Sequence, residues 1–371
     1  MTGKRNGEID VLRLLFAMAV LLHHFNSTFE FGSFKNGYIG VEYFYIVTGF
    51  LTSRSLAAGT ETDVPLEKVG EKTWQLILKK VKSFYRYYLA VILLQIVVLD
   101  TLIRHTSVFK TAYNILAGIP TITLTFMGID MKTRSLYVSG MWYLSAMVIA
   151  LFLLYPLMLR YYSFSVSWIF PVLTLFLFGY MFHGHGTLSC WDTWEGAVYG
   201  GVLRAVAEIA FGASLYVFTK RLTEVHAKVL QSESLPVKIL LTLLKAGCIA
   251  FVFVFAYGSV MGHRLRRAVD IPVFFILAAG VVLCFANAGF CIPDSACTRF
   301  CGKVSLGLYI FHGLIQLCII HTGNGASGSF SRVLPLIIFT VILSILLMYV
   351  TDYAAAFLNR LRAGFPDRTK E

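Results

Sequence analysis

Ten stretches of about 20 mostly apolar residues punctuate the chain, near 9–28, 38–56, 84–103, 138–160, 166–183, 198–219, 238–260, 271–290, 304–321 and 333–357. Runs of that length predict helices that cross a bilayer, because a helix satisfies its own backbone polar groups across a hydrocarbon core about 30 Å thick. An eleventh stretch, 108–129, holds Gly118, Pro120 and several threonines. Its pattern fits an interfacial segment, a re-entrant segment or a true span.

Basic residues arbitrate the topology. If 108–129 does not cross, Arg160, Lys220, Arg221, Lys228, Lys238, Arg299, Lys303, Arg360, Arg362, Arg368 and Lys370 fall on the cytoplasmic side, against Arg264, Arg266, Arg267 and Arg332 outside. If it crosses, the bias inverts, so the positive-inside rule favours ten spans. The expected fold class is therefore all-α, a polytopic integral membrane helical bundle of about ten transmembrane helices. Both termini are cytoplasmic, and residues 1–371 form one domain. The basic patch His263–Arg267 then lies outside, against the trend. The longest loop, about 57–83, is cytoplasmic and carries Lys68, Lys72, Lys79, Lys80 and Lys82. The first apolar run has no small-x-small cleavage site, and the ionisable residues within it argue for retention.

Composition agrees with that reading and narrows the partners. The chain is 57% hydrophobic and 14% charged, with a mean hydropathy of +0.72, which excludes an ordinary soluble domain. A net charge of +12 would suggest nucleic acid in a soluble protein. Here the basic residues lie mostly between apolar runs and match topology and anionic lipid heads. No basic stripe carries a nucleic-acid module. Cys291, Cys297 and Cys301 cluster without CxxC spacing or a histidine at ligand spacing, so reduced thiols and no metal are expected. His183, His185, Cys190 and Asp192 fall in an outer stretch whose loose spacing reads as a solvated loop.

Ionisable residues inside spans are costly and usually face a protein interior or a wet cavity. Arg13 and His24 are eleven residues apart in the first span. At about 100° per residue they share one helix face, about 16 Å apart along the axis, while His23 is turned away by about 100°. That stripe suggests an anion-holding end and a proton-handling end. With Arg13, the residues Lys82, Arg86, Lys303 and Ser305 make a basic inner mouth suited to a phosphate-rich ligand. For the lysines, lipid anchoring is the competing reading. His24 and Glu42 each lie roughly 6 Å below the outer surface, at a depth where they can meet. A carboxylate bonded to one imidazole nitrogen fixes the tautomer and raises the basicity of the other. A purely structural hydrogen bond fits the spacing equally well. Trp142, Tyr143 and Ser145 reach similar depth from the outside, and His312 is mid-membrane on the ninth span.

Together these motifs resemble the membrane-bound acyltransferase 3 family, the O-acyltransferases of bacterial surface polysaccharides. The likeness is carried by Arg13-x10-His24, by GYIGVEYFYIVTGFLTS (37–53), by GMWYLSAMVIALFLLYP (140–156) and by GKVSLGLYIFHGLI (302–315). The chain departs from the family pattern at Thr48 (usually Ser), Met147 (Glu in many members), Ser83 (the first Arg of a basic pair) and Leu89 (usually Pro).

The resemblance implies an integral protein of the bacterial cytoplasmic membrane. It implies acetyl-CoA or another acyl-CoA as cytosolic donor substrate, no permanently bound cofactor, and a glycan or polysaccharide acceptor outside. It also implies that His24 is the catalytic histidine and that Arg13 belongs with it. Glu42 is expected to orient His24, and Arg13, Arg86 and Lys82 to hold donor phosphates. Thr48, Trp142, Ser145, Ser305, Tyr309 and His312 are expected to position substrate or stabilise the oxyanion. Direct transfer and a covalent acyl-His24 intermediate both fit. The alternative class is a transporter of a glycan or anionic metabolite, against which no internal repeat is visible.

Overall fold

The computed structural model describes residues 5–59, 62–129, 135–258, 269–323 and 329–363. The longer elements among them are helices: α1 Gly7–Phe29, α2 Ile39–Ala58, α3 Leu66–Lys82, α4 Tyr85–Ile103, α5 Val108–Ala117, α6 Met141–Arg160, α7 Tyr162–His185, α8 Gly200–Val225, α9 Leu235–Tyr257, α10 Asp270–Phe285, α11 Ala296–His321 and α12 Phe330–Ala363. Among the described residues, β pairing is limited to one isolated bridge between Trp194 and Tyr199.

Each of the ten apolar stretches coincides with one of these helices. Seven of them, α4, α6, α7, α8, α9, α11 and α12, are long and apolar enough to cross a membrane. Helix α1 carries Arg13 and His24, and α2 carries Glu42, within their apolar runs. Helix α10 has 16 residues, about 24 Å at 1.5 Å per residue.

Two segments differ from expectation. The supposed loop 57–83 contains α3, whose Val69, Thr73 and Ile77 are buried four residues apart, with Lys80 following on the same face, while Glu67, Lys68, Glu71, Lys79 and Lys82 are exposed. That is an amphipathic pattern, and α3 lies along α6, with Val64 N bonded to Leu159 O near the C-terminal end of α6 at 2.9 Å. The doubtful stretch 108–129 breaks at Gly118 and again near Leu124, into α5 and turns at Ile119–Ile122 and Phe126–Ile129. Its longest piece has ten residues, about 15 Å, so it makes no continuous span. The basic patch at 263–267 lies outside the described residues.

Two packings place the site. Helix α1 lies against α11, and α2 against α8. The second contact is close because two glycines face each other's helix. A Cβ at Gly49 would sit 2.0 Å from Ile209 O, and one at Gly212 would sit 2.2 Å from Ile46 O. Small residues at such a seam let two backbones approach.

Candidate active site

One layer of the site begins at the N-terminus of α1. The Asn6 side chain caps the helix by accepting from Ile9 N at 3.2 Å, and Glu8 and Asp10 occupy the first turn, where the helix dipole favours them. Asp10 is buried and receives both Arg5 and Arg13, the latter at 3.0 Å. Arg13 is thereby aimed into a cavity of about 270 Å³. Thr48 of α2, Lys80 and Ser83 at the end of α3, Tyr143 and Met147 of α6, and Ser305 and Tyr309 of α11 also line it. Within this lining Ser305 donates to Gly302 O at 2.9 Å. Four expected residues, Arg13, Thr48, Ser305 and Tyr309, are therefore brought together. Lys80, counted in the sequence only among loop lysines, joins them. Withdrawal from water, helped by the nearby positive charge of Arg13, pushes its ammonium down to about 8.

The other half of the expected basic mouth is placed elsewhere. Arg86 pairs with Asp352 of α12 at 3.1 Å and donates to Tyr87 Oη at 2.8 Å, and Lys303 meets the same carboxylate at 2.7 Å. These two cations share the single carboxylate of Asp352 and do not line the cavity. Lys82 is exposed and does not line it either.

A second layer, toward the C-terminal end of α1, is built around His24. Its ring stacks on that of His312, with centroids 5.2 Å apart and planes at 28°. Ser139 Oγ lies 2.8 Å from His24 Nδ1 and 3.4 Å from its Nε2. His312 is buried and donates from Nδ1 to Leu308 O at 3.0 Å, one helical turn back, which leaves its Nε2 without a partner. Tyr309 stands between the two layers. Its ring is 6.0 Å from that of His312 and 5.3 Å from that of Tyr143, and its hydroxyl donates to Gly140 O at 3.2 Å. His24 itself does not line the inner cavity. His23 turns away, as its helical position predicts, with Nδ1 3.2 Å from Phe34 O.

The expected pairing of His24 with Glu42 is not what the structure contains. Glu42 is fully buried and accepts from Arg204 Nη2 of α8 at 2.9 Å, while Arg204 Nε bonds Glu208 at 2.7 Å. Equal depth allowed the two residues to meet, but the face of α2 that carries Glu42 packs on α8. The Arg204–Glu208 pair escaped the sequence reading. An arginine and a glutamate four apart in an apolar run were its available signal.

Two further candidates have structural partners. Ser145 is buried, donates to Leu124 O at 2.8 Å and accepts from Met127 N at 3.2 Å, so it staples the broken segment onto α6. Trp142 stacks on Trp191 at 5.3 Å. At the C-terminal end of α7, His185 bonds Glu195 at 2.7 Å, and the described residues contain no cluster of three potential metal ligands.

Comparison with known families decides the class. A family model described as an acyltransferase domain, that of the acyltransferase 3 family, matches residues 6–349. The chain belongs to this family. The match runs from the cap of α1 into α12 and takes in every candidate residue but Asp352. Searches of curated proteins and of solved structures return no significant match. This acyltransferase is an enzyme that transfers acyl groups, and family membership sets aside the transporter expectation. Its apolar helices and family indicate an integral membrane protein.

Proposed function

We propose that this acyltransferase moves a short acyl group, most simply acetyl, from cytosolic acyl-CoA to a hydroxyl of a glycan on the far side of the membrane. The observation that carries the reading is the two-layer arrangement along α1. Arg13 opens the cationic cavity with Lys80, and His24 lies about 16 Å farther along the same helix.

Arg13 and Lys80 hold the donor's phosphates as charge-assisted partners. The acyl-bearing arm extends from the cavity past Tyr143 and Tyr309 toward His24. The His24 ring then accepts the proton of the acceptor hydroxyl as the oxygen attacks the thioester carbonyl. The new C–O bond forms, the C–S bond breaks, and the leaving thiolate takes the proton from the imidazolium. Tyr309 and Thr48 are placed to orient the arm, and His312 to support the histidine. Glu42 is given no place in this step; it braces α2 against α8 through Arg204. The reaction is tested by CoA-thiol release and glycan acylation with wild type beside His24→Ala.

A further inference from the structure

The lysines of α3 divide by their places around the helix. Lys80 follows the buried residues and lines the cavity with Arg13. Trp74 is exposed, and its ring lies 6.0 Å from that of Phe152 on the membrane-crossing α6. Phe152 and its neighbour Leu153 are themselves exposed. Exposed apolar side chains on such a helix meet lipid tails of matching polarity, so the Trp74 side of α3 is the side toward lipid.

Lys68, Lys72 and Lys79 fall on another face of α3. At about 100° per residue they lie within roughly 40° of one another, and each is turned about 120–160° from Trp74. Their stripe runs about 16 Å along the helix and flanks the face that presents Lys80. Lysines that snorkel to lipid heads sit beside lipid-facing residues, and these do not. None of the three has a carboxylate partner among the described residues. Glu71 of the same helix accepts from Gln75 Nε2 at 2.9 Å instead. Like charges four apart on a helix, as Lys68 and Lys72 are, repel, so an anion from outside the chain binds this stripe with gain.

Size points to which anion. The cavity of about 270 Å³ is smaller than the roughly 300–1,000 Å³ that encloses a drug-sized ligand, and acyl-CoA exceeds such a ligand. Part of the donor therefore lies outside the cavity. CoA carries phosphate in two places, a diphosphate beside the acyl-bearing arm and a ribose 3′-phosphate at the far end.

We propose that Lys68, Lys72 and Lys79 form a second anion site, which holds the ribose 3′-phosphate of the donor while Arg13 and Lys80 hold its diphosphate. This rests on the reading of acyl-CoA as donor.

The test is equilibrium binding of CoA and of 3′-dephospho-CoA to the full-length protein in nanodiscs of zwitterionic lipid. Wild type is set beside a triple variant, Lys68→Gln, Lys72→Gln and Lys79→Gln. Wild type binds CoA roughly 5- to 20-fold more tightly than 3′-dephospho-CoA, the modest gain of a few exposed charge pairs, and added salt shrinks the ratio. The triple variant binds both ligands alike, as wild type binds 3′-dephospho-CoA, and unfolds at the wild-type temperature because the changes lie at the surface. Equal binding of the two ligands by wild type overturns the proposal without any variant. So does a triple variant that keeps the wild-type ratio. An effect of the variant that appears only when phosphatidylglycerol is added, and equally for both ligands, assigns the stripe to lipid heads and also overturns it. Wild type that binds no CoA at all sinks the donor reading and the stripe with it, whereas CoA binding without preference for the 3′-phosphate sinks the stripe alone.

Discussion

Arg204 of α8 reaches Glu42 of α2 at 2.9 Å and Glu208 of its own helix at 2.7 Å, with all three side chains withdrawn from solvent. A buried arginine bridging two carboxylates gains little over an apolar core, yet removing one partner strands the others. Arg204→Met therefore destabilises the fold by about 3–5 kcal/mol. Thermal unfolding of the purified variant measures this. An unfolding midpoint equal to wild type would show that the network does not brace α2 against α8.

Arg13 and Lys80 share the inner cavity, and the Lys80 ammonium titrates at about 8. Below that pH the lysine is charged and attracts donor phosphate; above it the attraction is lost. Donor KM should accordingly rise between pH 7 and pH 9, and Lys80→Arg, which stays charged, should flatten the rise. Arg13→Ala should raise donor KM at every pH. A KM independent of pH in wild type, or unchanged in Arg13→Ala, would move the donor site elsewhere.

Ser145 bonds both Leu124 O and Met127 N. Ser145→Ala leaves two buried backbone groups unpaired, at about 1–3 kcal/mol for each group not rescued by water. The fold loosens around 119–129, and turnover per folded molecule stays near wild type. A large fall in kcat with unchanged stability would return Ser145 to the catalytic group.

The helices were legible because apolar length alone identifies a segment that can sit in lipid, and all ten stretches became helices. The Arg13–His24 stripe was legible too, since both residues ride one helix and its rotation is fixed. Relations between helices were not. Depth along a span limits which residues can meet, but the azimuth of α2 decided that Glu42 faces α8. Lys80 was hidden for a different reason: α3 read as a loop, so the face that Lys80 shares with Val69, Thr73 and Ile77 was not seen. Arg86 carried the right charge at the right level, yet Asp352, some 266 positions downstream in the chain, claims it. Ser139 belongs to a turn whose place is set by Gly313 and Tyr309 of α11, and no local pattern announces that.

The central claim is that His24 performs acyl transfer. The most direct measurement is transfer from acetyl-CoA by wild type and His24→Ala, each reconstituted in liposomes with an oligosaccharide panel, with donor binding measured in parallel. The account predicts that the variant binds donor as wild type does, unfolds at the same temperature and transfers nothing. Transfer by the variant at a rate near wild type would contradict it.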